Sequence, residues 1–330
     1  MVSPVAEVAT TCGRVRGVVR EHSLAFRGIP YAAAPVGGLR LAAPAPHPGW
    51  DGVREAAHNG PTPSLGPVGD TYSIPEPVVP GDEVLNLNVF TPAADRQAGL
   101  PVYVWVHGGG FVGGSPGGQW FDGEAFARDG IVTVALTYRL GFEGYGHVPG
   151  APQNRALLDM IAALDWVQEN IAAFGGDPGR VTLGGQSAGG SAALALLASP
   201  RARGLFHRVV SHSGPLPDIP LEVAEHVGVE MARACGVSEH DRAGWREVPR
   251  QEIVAAERAR DRGDLLSAAR DLHRLLRGRE PITDFGPVID GEVLPQDPLT
   301  AFRTGQGEDV PLLIGCTSHE FNRVTAQIDR

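Results

Sequence analysis

Lysine is missing from this chain altogether; all 28 basic residues are arginine. Schiff-base chemistry and a P-loop lysine are thereby excluded. Cysteine is almost as scarce. Cys12, Cys235 and Cys316 are odd in number and far apart, so neither a disulfide framework nor a thiolate zinc site is expected, and no cofactor is called for. No stretch of ~18 uninterrupted apolar residues occurs, and the opening MVSPVAEVATTCGRV has neither a basic start nor a continuous apolar segment. A soluble, cytoplasmic protein without a membrane span is the expectation. Positive charge is also in deficit, with a formal net charge of -10 and no basic stripe, which argues against nucleic acid as a partner.

What remains is ample for a core. The 330 residues are 42% hydrophobic and 20% charged, and large α/β folds commonly use this length as one domain. Residues 7–11, 14–20 and 24–28 read as short strands. From Ile29 to about Pro80 the chain is dense in proline and glycine, and is expected to form a long surface segment anchored by Tyr31, Leu41 and Trp50. Residues 84–91 alternate like a half-buried strand, whereas 102–107 is nearly continuously apolar, as in a sheet's centre. A short helix near 123–128 and a buried strand at 131–138 follow. Apolar residues at 157, 158, 161, 164, 167 and 171 have helical spacing. Strand, helix, strand recurs, which predicts an α/β fold with a mostly parallel central sheet and helices on both faces.

Beyond a strand at 208–213, residues 220–280 form a helical sub-region. VAEHVGVEMARAC, EIVAAERARD and LLSAARDLHRLL carry helical patterns whose charges are expected to mark solvated faces. Residues 285–289 and 311–314 return to strand character.

Two glycine-rich turns hold the chemistry. In VTLGGQSAGGSAALALLAS, residues 181–199, a β-branched run breaks at Gly184-Gly185 and an Ala/Leu helix follows Gly190. This is G-x-S-x-G in a strand, turn, helix setting, which raises Ser187 Oγ at the strand's tip as a nucleophile; the alternative is a plain glycine turn. The amide of Ala188 then lies where developing negative charge is favoured. After the strand at 102–107 comes His107-Gly108-Gly109-Gly110-Phe111-Val112-Gly113. Its G-x-G-x-x-G spacing raises a dinucleotide site, but no helix begins within the glycines to meet a pyrophosphate. Read as HGGG, the same residues supply unobstructed amides from Gly109 and Gly110 for an oxyanion hole.

These two motifs, together with FRGIPY at 26–31, APVGGLRLAAPAP at 34–46, LNLNVFTP at 85–92, YRLGFEGYG at 138–146, NRALLD at 154–159 and PLLIGCTSHEF at 311–321, resemble the type-B carboxylesterase family. That family includes para-nitrobenzyl esterases and cholinesterases. The resemblance implies a single α/β-hydrolase domain over 1–330, incomplete at its C-terminus, and a carboxylic ester hydrolase acting on a small-molecule ester. By resemblance Ser187 is the acyl-forming nucleophile, Gly109, Gly110 and Ala188 form the oxyanion hole, and Glu320 is the acid of the triad; its alternative is a surface carboxylate. Val84 stands where many secreted relatives have a cysteine, in keeping with a reducing compartment.

The family's histidine base lies about a hundred residues beyond the acid, and this sequence ends ten residues after Glu320. The expectation is a fragment lacking the triad histidine and its last strands, with the strand at 311–315 left as an apolar sheet edge. Of the eleven histidines only His212, at the end of the strand beside that of Ser187, is placed to substitute. A catalytically inactive binding protein of the same fold is the alternative.

Overall fold

The computed structural model describes residues 5–63, 76–217, 219–238, 241–261 and 284–319. The N-terminal strands β1 (Val5–Thr10), β2 (Gly13–Val19) and β3 (Leu24–Pro30) form an antiparallel meander. A short β4 (Val53–Glu55) lies parallel to β2 within the stretch expected to be irregular. Tyr31 and Leu41 are buried there as anticipated, and Trp50 is half-buried with its indole N–H donating to the Arg14 carbonyl.

The order continues with β5 (Asn86–Thr91), β6 (Leu100–Val106), α1 (Glu124–Arg128), β7 (Val132–Leu136), α2 (Gly141–Tyr145), α3 (Arg155–Asn170), β8 (Gly176–Gln186), α4 (Ala188–Ala198) and β9 (Arg208–His212). Next come β10 (Ile219–Pro220), α5 (Leu221–Ala234), α6 (Arg242–Glu247), α7 (Arg250–Asp261), β11 (Val288–Ile289), α8 (Pro298–Arg303) and β12 (Leu312–Gly315). The main sheet runs β1-β2-β3-β5-β7-β6-β8-β9-β12, and β10 pairs with β11 apart from it. Parallel pairing spans β7-β6-β8-β9-β12, while β1 to β5 join it antiparallel except for β4. The sheet is thus mixed, with its parallel half carrying the two glycine-rich turns.

Two strands differ from their sequence patterns. All six residues of β5 are buried, not half of them. Its polar members are tolerated because they are bonded: the Asn88 carboxamide O accepts from Gly28 N at 2.9 Å, and the Asn86 amide donates to Pro61 O and Glu83 O. Conversely β6, apolar throughout, alternates in burial. Val102, Val104 and Val106 are inside, and Tyr103 and Trp105 lie half-exposed against Phe126 and Phe121.

Every residue of α4 is buried, so this helix is apolar all round rather than striped. Helix α3 buries Leu157, Leu164 and Val167 on the predicted stripe. It also buries two charges. Arg139 and Asp159 are joined by paired bonds at 2.7 and 2.8 Å, and the Arg155 guanidinium donates to the carbonyls of Phe142, Glu143, Gly146 and Pro152. Of the 220–280 block, α5, α6 and α7 are helical, and LLSAARDLHRLL lies outside the described residues. Its charges are not all solvated: Glu257 turns inward onto α2, and Arg260 bridges Glu230 and Asp284. At the far end of the described sheet β12 exposes Leu312, Leu313 and Ile314 by 41%, 65% and 57%, and among the described residues it pairs with β9 alone.

Candidate active site

Strand β8 runs between β6 and β9 and delivers its last residue, Gln186, opposite His212. Ser187 follows at φ 55°, ψ −123°, a conformation that an L-residue adopts only when its surroundings impose it. Two close approaches impose it here. A Cβ on Gly185 would meet the Gly189 backbone, and one on Gly189 would overlap the Val106 carbonyl, so strand and helix touch through bare backbone. Two hydrogen bonds pin the turn: Ser187 N donates to His212 O at 2.8 Å, and Ser191 N donates to Ser187 O at 2.9 Å. Helix α4 then starts at Ala188, with its N-terminus at the serine.

The loop after β6 closes over this turn. Gly108 sits so near that a Cβ placed on it would lie 3.3 Å from Ser187 Cβ and 2.8 Å from Gln186 O. Gly109 and Gly110 take φ of 118° and 62°, and Gly109 O accepts from Gly113 N at 2.9 Å, curling the loop back on itself. Among the described residues the amides of Gly109, Gly110 and Ala188 donate to no backbone carbonyl.

Buried groups brace that loop from behind. His107 is fully buried and stacked on Tyr138 at 4.4 Å, and its Nδ1 lies 2.8 Å from Gly108 O. A carbonyl only accepts, so the proton is on Nδ1 and the ring is neutral. Burial pulls the His107 pKa down to about 4 against the opposing effect of that bond. Tyr138 Oη donates to His107 O at 2.9 Å, Gly114 N donates to Glu76 Oε2 at 3.1 Å, and Phe111 O accepts from Gly141 N at 2.7 Å.

Ser187 and Ala188 thus share the turn, and the loop that carries Gly109 and Gly110 packs against it through Gly108. His212 is not brought to them by its ring. The strand register turns its imidazole toward Trp105, 6.2 Å away centroid to centroid, and only its carbonyl meets Ser187. Among the described residues no imidazole is hydrogen-bonded to Ser187. Glu320 lies outside the described residues; its neighbour His319 is exposed and bonded to Ser318 Oγ at 2.9 Å. No group of His, Cys, Asp and Glu that would hold a metal occurs among the described residues. Sequence reasoning passed over Gln186, whose exposed carboxamide reaches over Gly108 beside the nucleophile. Its place immediately before the serine was the available signal.

A mixed sheet with a serine at a strand-to-helix turn, faced by a glycine loop from the neighbouring strand, defines an α/β-hydrolase fold. The chain belongs to the carboxylesterase family, whose sequence profile matches residues 4–330. It is 37% identical to the para-nitrobenzyl esterase of Bacillus subtilis over 95% of this chain and 62% of that protein. It is 36% identical to the phenmedipham hydrolase of Pseudarthrobacter oxydans over 99% of this chain and 65% of that one. Among solved structures, a Geobacillus stearothermophilus carboxylesterase superimposes with a TM-score of 0.82 at 37% identity, covering 97% of this chain and 65% of the other. The chain thus spans a little under two thirds of the length of these relatives. No helix among the described residues is long and apolar enough to cross a membrane.

Proposed function

We propose that this chain carries the acyl-transfer half of a carboxylic ester hydrolase. Ser187 Oγ gives its proton to a base and attacks the ester carbonyl, and the amides of Gly109, Gly110 and Ala188 receive the developing oxyanion. The alcohol leaves with that proton as the acyl–Ser187 ester forms, and water then hydrolyses this ester, releasing the acid and restoring the hydroxyl. The observation that carries this reading is the imposed φ 55° of Ser187 at the start of α4, with Gly108 packed against it. Such strain is maintained only where its surroundings over-determine it, and in this reading it presents the Ser187 hydroxyl to the three amides.

Glu320 is the acid of the triad in this reading, and the histidine base comes from outside the given sequence. Without a base, serine is a weak nucleophile, and the amide cradle with binding retains only ~10³ to 10⁴-fold of the catalysis. A small-molecule carboxylic ester is the substrate class, in line with the esterase and hydrolase names of the relatives. A reducing, cytoplasmic setting accompanies this reading; it is supported by three free cysteines and by the buried Val84.

Turnover of a chromogenic acetyl ester, measured on the given chain and on a form extended past residue 330 by the gene, tests the reading. The extended form should be faster by at least ~10³-fold, and Ser187→Ala should abolish the difference. Equal rates in both lengths, or activity that survives Ser187→Ala, would overturn it.

A further inference from the structure

Helix α7 belongs to the block outside the sheet, yet one of its side chains reaches α2, the short helix hydrogen-bonded to Phe111 of the glycine loop. Glu257 Oε1 accepts from Phe142 N, in the first turn of α2, at 2.6 Å. The neighbouring Gly141 has φ 54°, and a Cβ on it would overlap the Glu257 carboxylate, so the site is shaped to admit that group. From α2 the connection continues inward. Gly141 N donates to Phe111 O at 2.7 Å, and Tyr145 packs edge-on against the Phe111 ring at 5.0 Å. Phe111 itself holds φ 65° directly after Gly110. The residue that follows the amide cradle is thus held in an unfavourable conformation by a five-residue helix, and that helix is held by Glu257 and by Arg155 from α3.

We propose that Glu257 is a positioning residue, coupling α7 through α2 and Phe111 to the Gly109–Gly110 loop. Calling that loop an oxyanion cradle rests on the acyl-transfer reading; the coupling itself does not.

The charges around Glu257 leave it poorly compensated. Glu143 on α2 already engages Arg40 at 3.0 Å and Arg250 at 3.1 Å. Burial pushes the Glu257 carboxyl up to about 7, Glu143 adds to the rise, and the Phe142 amide, Arg250 and Arg258 oppose it. A carboxyl raised above its free value of about 4.5 favours the docked state when protonated. Its contribution is whole below 4.5, is lost as pH rises to about 7, and is level above that. Glu257's own hold on the loop is therefore firmest under mildly acidic conditions, whereas His107, whose pKa is pulled down to about 4, acts in the opposite sense as pH falls.

Hydrogen–deuterium exchange of residues 108–114 and 141–146 on the given chain reads this directly, with rates corrected for the intrinsic effect of pH. Glu257→Gln keeps the acceptor without the charge and retains the His107 contribution, so protection in both segments of the native chain relative to Glu257→Gln should fall by roughly tenfold or more between pH 5 and 7 and then level off. Identical pH profiles in the two proteins would overturn the proposal, as would a change in 141–146 that leaves 108–114 untouched. Because exchange needs no turnover, a failed esterase assay with this coupling intact would refute only the acyl-transfer reading.

Discussion

On the Ser187 side of the cleft, the turn is fixed where backbone meets backbone: Gly185 against Gly189, Gly189 against Val106 O, and Ser187 N on His212 O. On the Gly109–Gly110 side, the loop is braced by buried polar and ionisable groups: the His107 ring, Tyr138 Oη, and Glu257 acting through α2. The difference has consequences. A contact between bare backbones has no titrating member and leaves no space for a methyl group. A brace made of buried ionisable groups tolerates changes of shape but responds to protons. The two walls are thus exposed to different kinds of damage.

The largest effect is expected at the backbone contact. Gly189→Val drives side-chain atoms into the Val106 carbonyl, and should cost more than about 5 kcal/mol. Urea denaturation would show it as a chain unfolded or nearly so. On the polar wall, Asp159→Ala strands the buried Arg139 guanidinium, and about 3–5 kcal/mol of stability should be lost in the same measurement.

Acid should act on the polar wall through His107. Its folded pKa lies below the free value of 6.5, so the stability it contributes is present above 6.5 and is lost as pH falls toward 4. The full loss is on the order of 3 kcal/mol. Thermal melts from pH 7 to 4 should show it, and His107→Asn should flatten that part of the curve. The smallest effect belongs far from both walls. Asp297 caps α8 by accepting from Thr300 N at 2.9 Å, and Asp297→Ala should cost only about 1 kcal/mol without altering the reactivity of Ser187. If Gly189→Val were as mild as Asp297→Ala, the contrast between the walls would fail.

The same contrast separates what could be read from the sequence. The strand-to-helix turn at Ser187 and the glycine loop at 108–110 were legible because strand, turn and helix signals are local, and a glycine at a close approach is visible as a glycine. The parallel pairing near them followed from the alternation of strand and helix. Arg155 and Asp159 look like polar positions on α3, and Glu257 looks like one more charge on an arginine-rich helix. Their inward placement depends on carbonyls and amides contributed by α2, an element with no periodicity of its own. Asn86 and Asn88 gave β5 an alternating pattern, and each is satisfied in part by a partner more than twenty residues away, which lets both be buried. His212 was chosen for the right strand, but a strand's register decides which way a ring points, and here it points to Trp105.

The most direct test is the reaction of Ser187 with a fluorophosphonate ester, followed by peptide mass spectrometry on the native and the urea-unfolded chain. A single adduct on Ser187, formed about 10³-fold faster in the native chain and absent after Ser187→Ala, is the predicted result. An adduct on another serine, or a native rate no greater than the unfolded one, would contradict it.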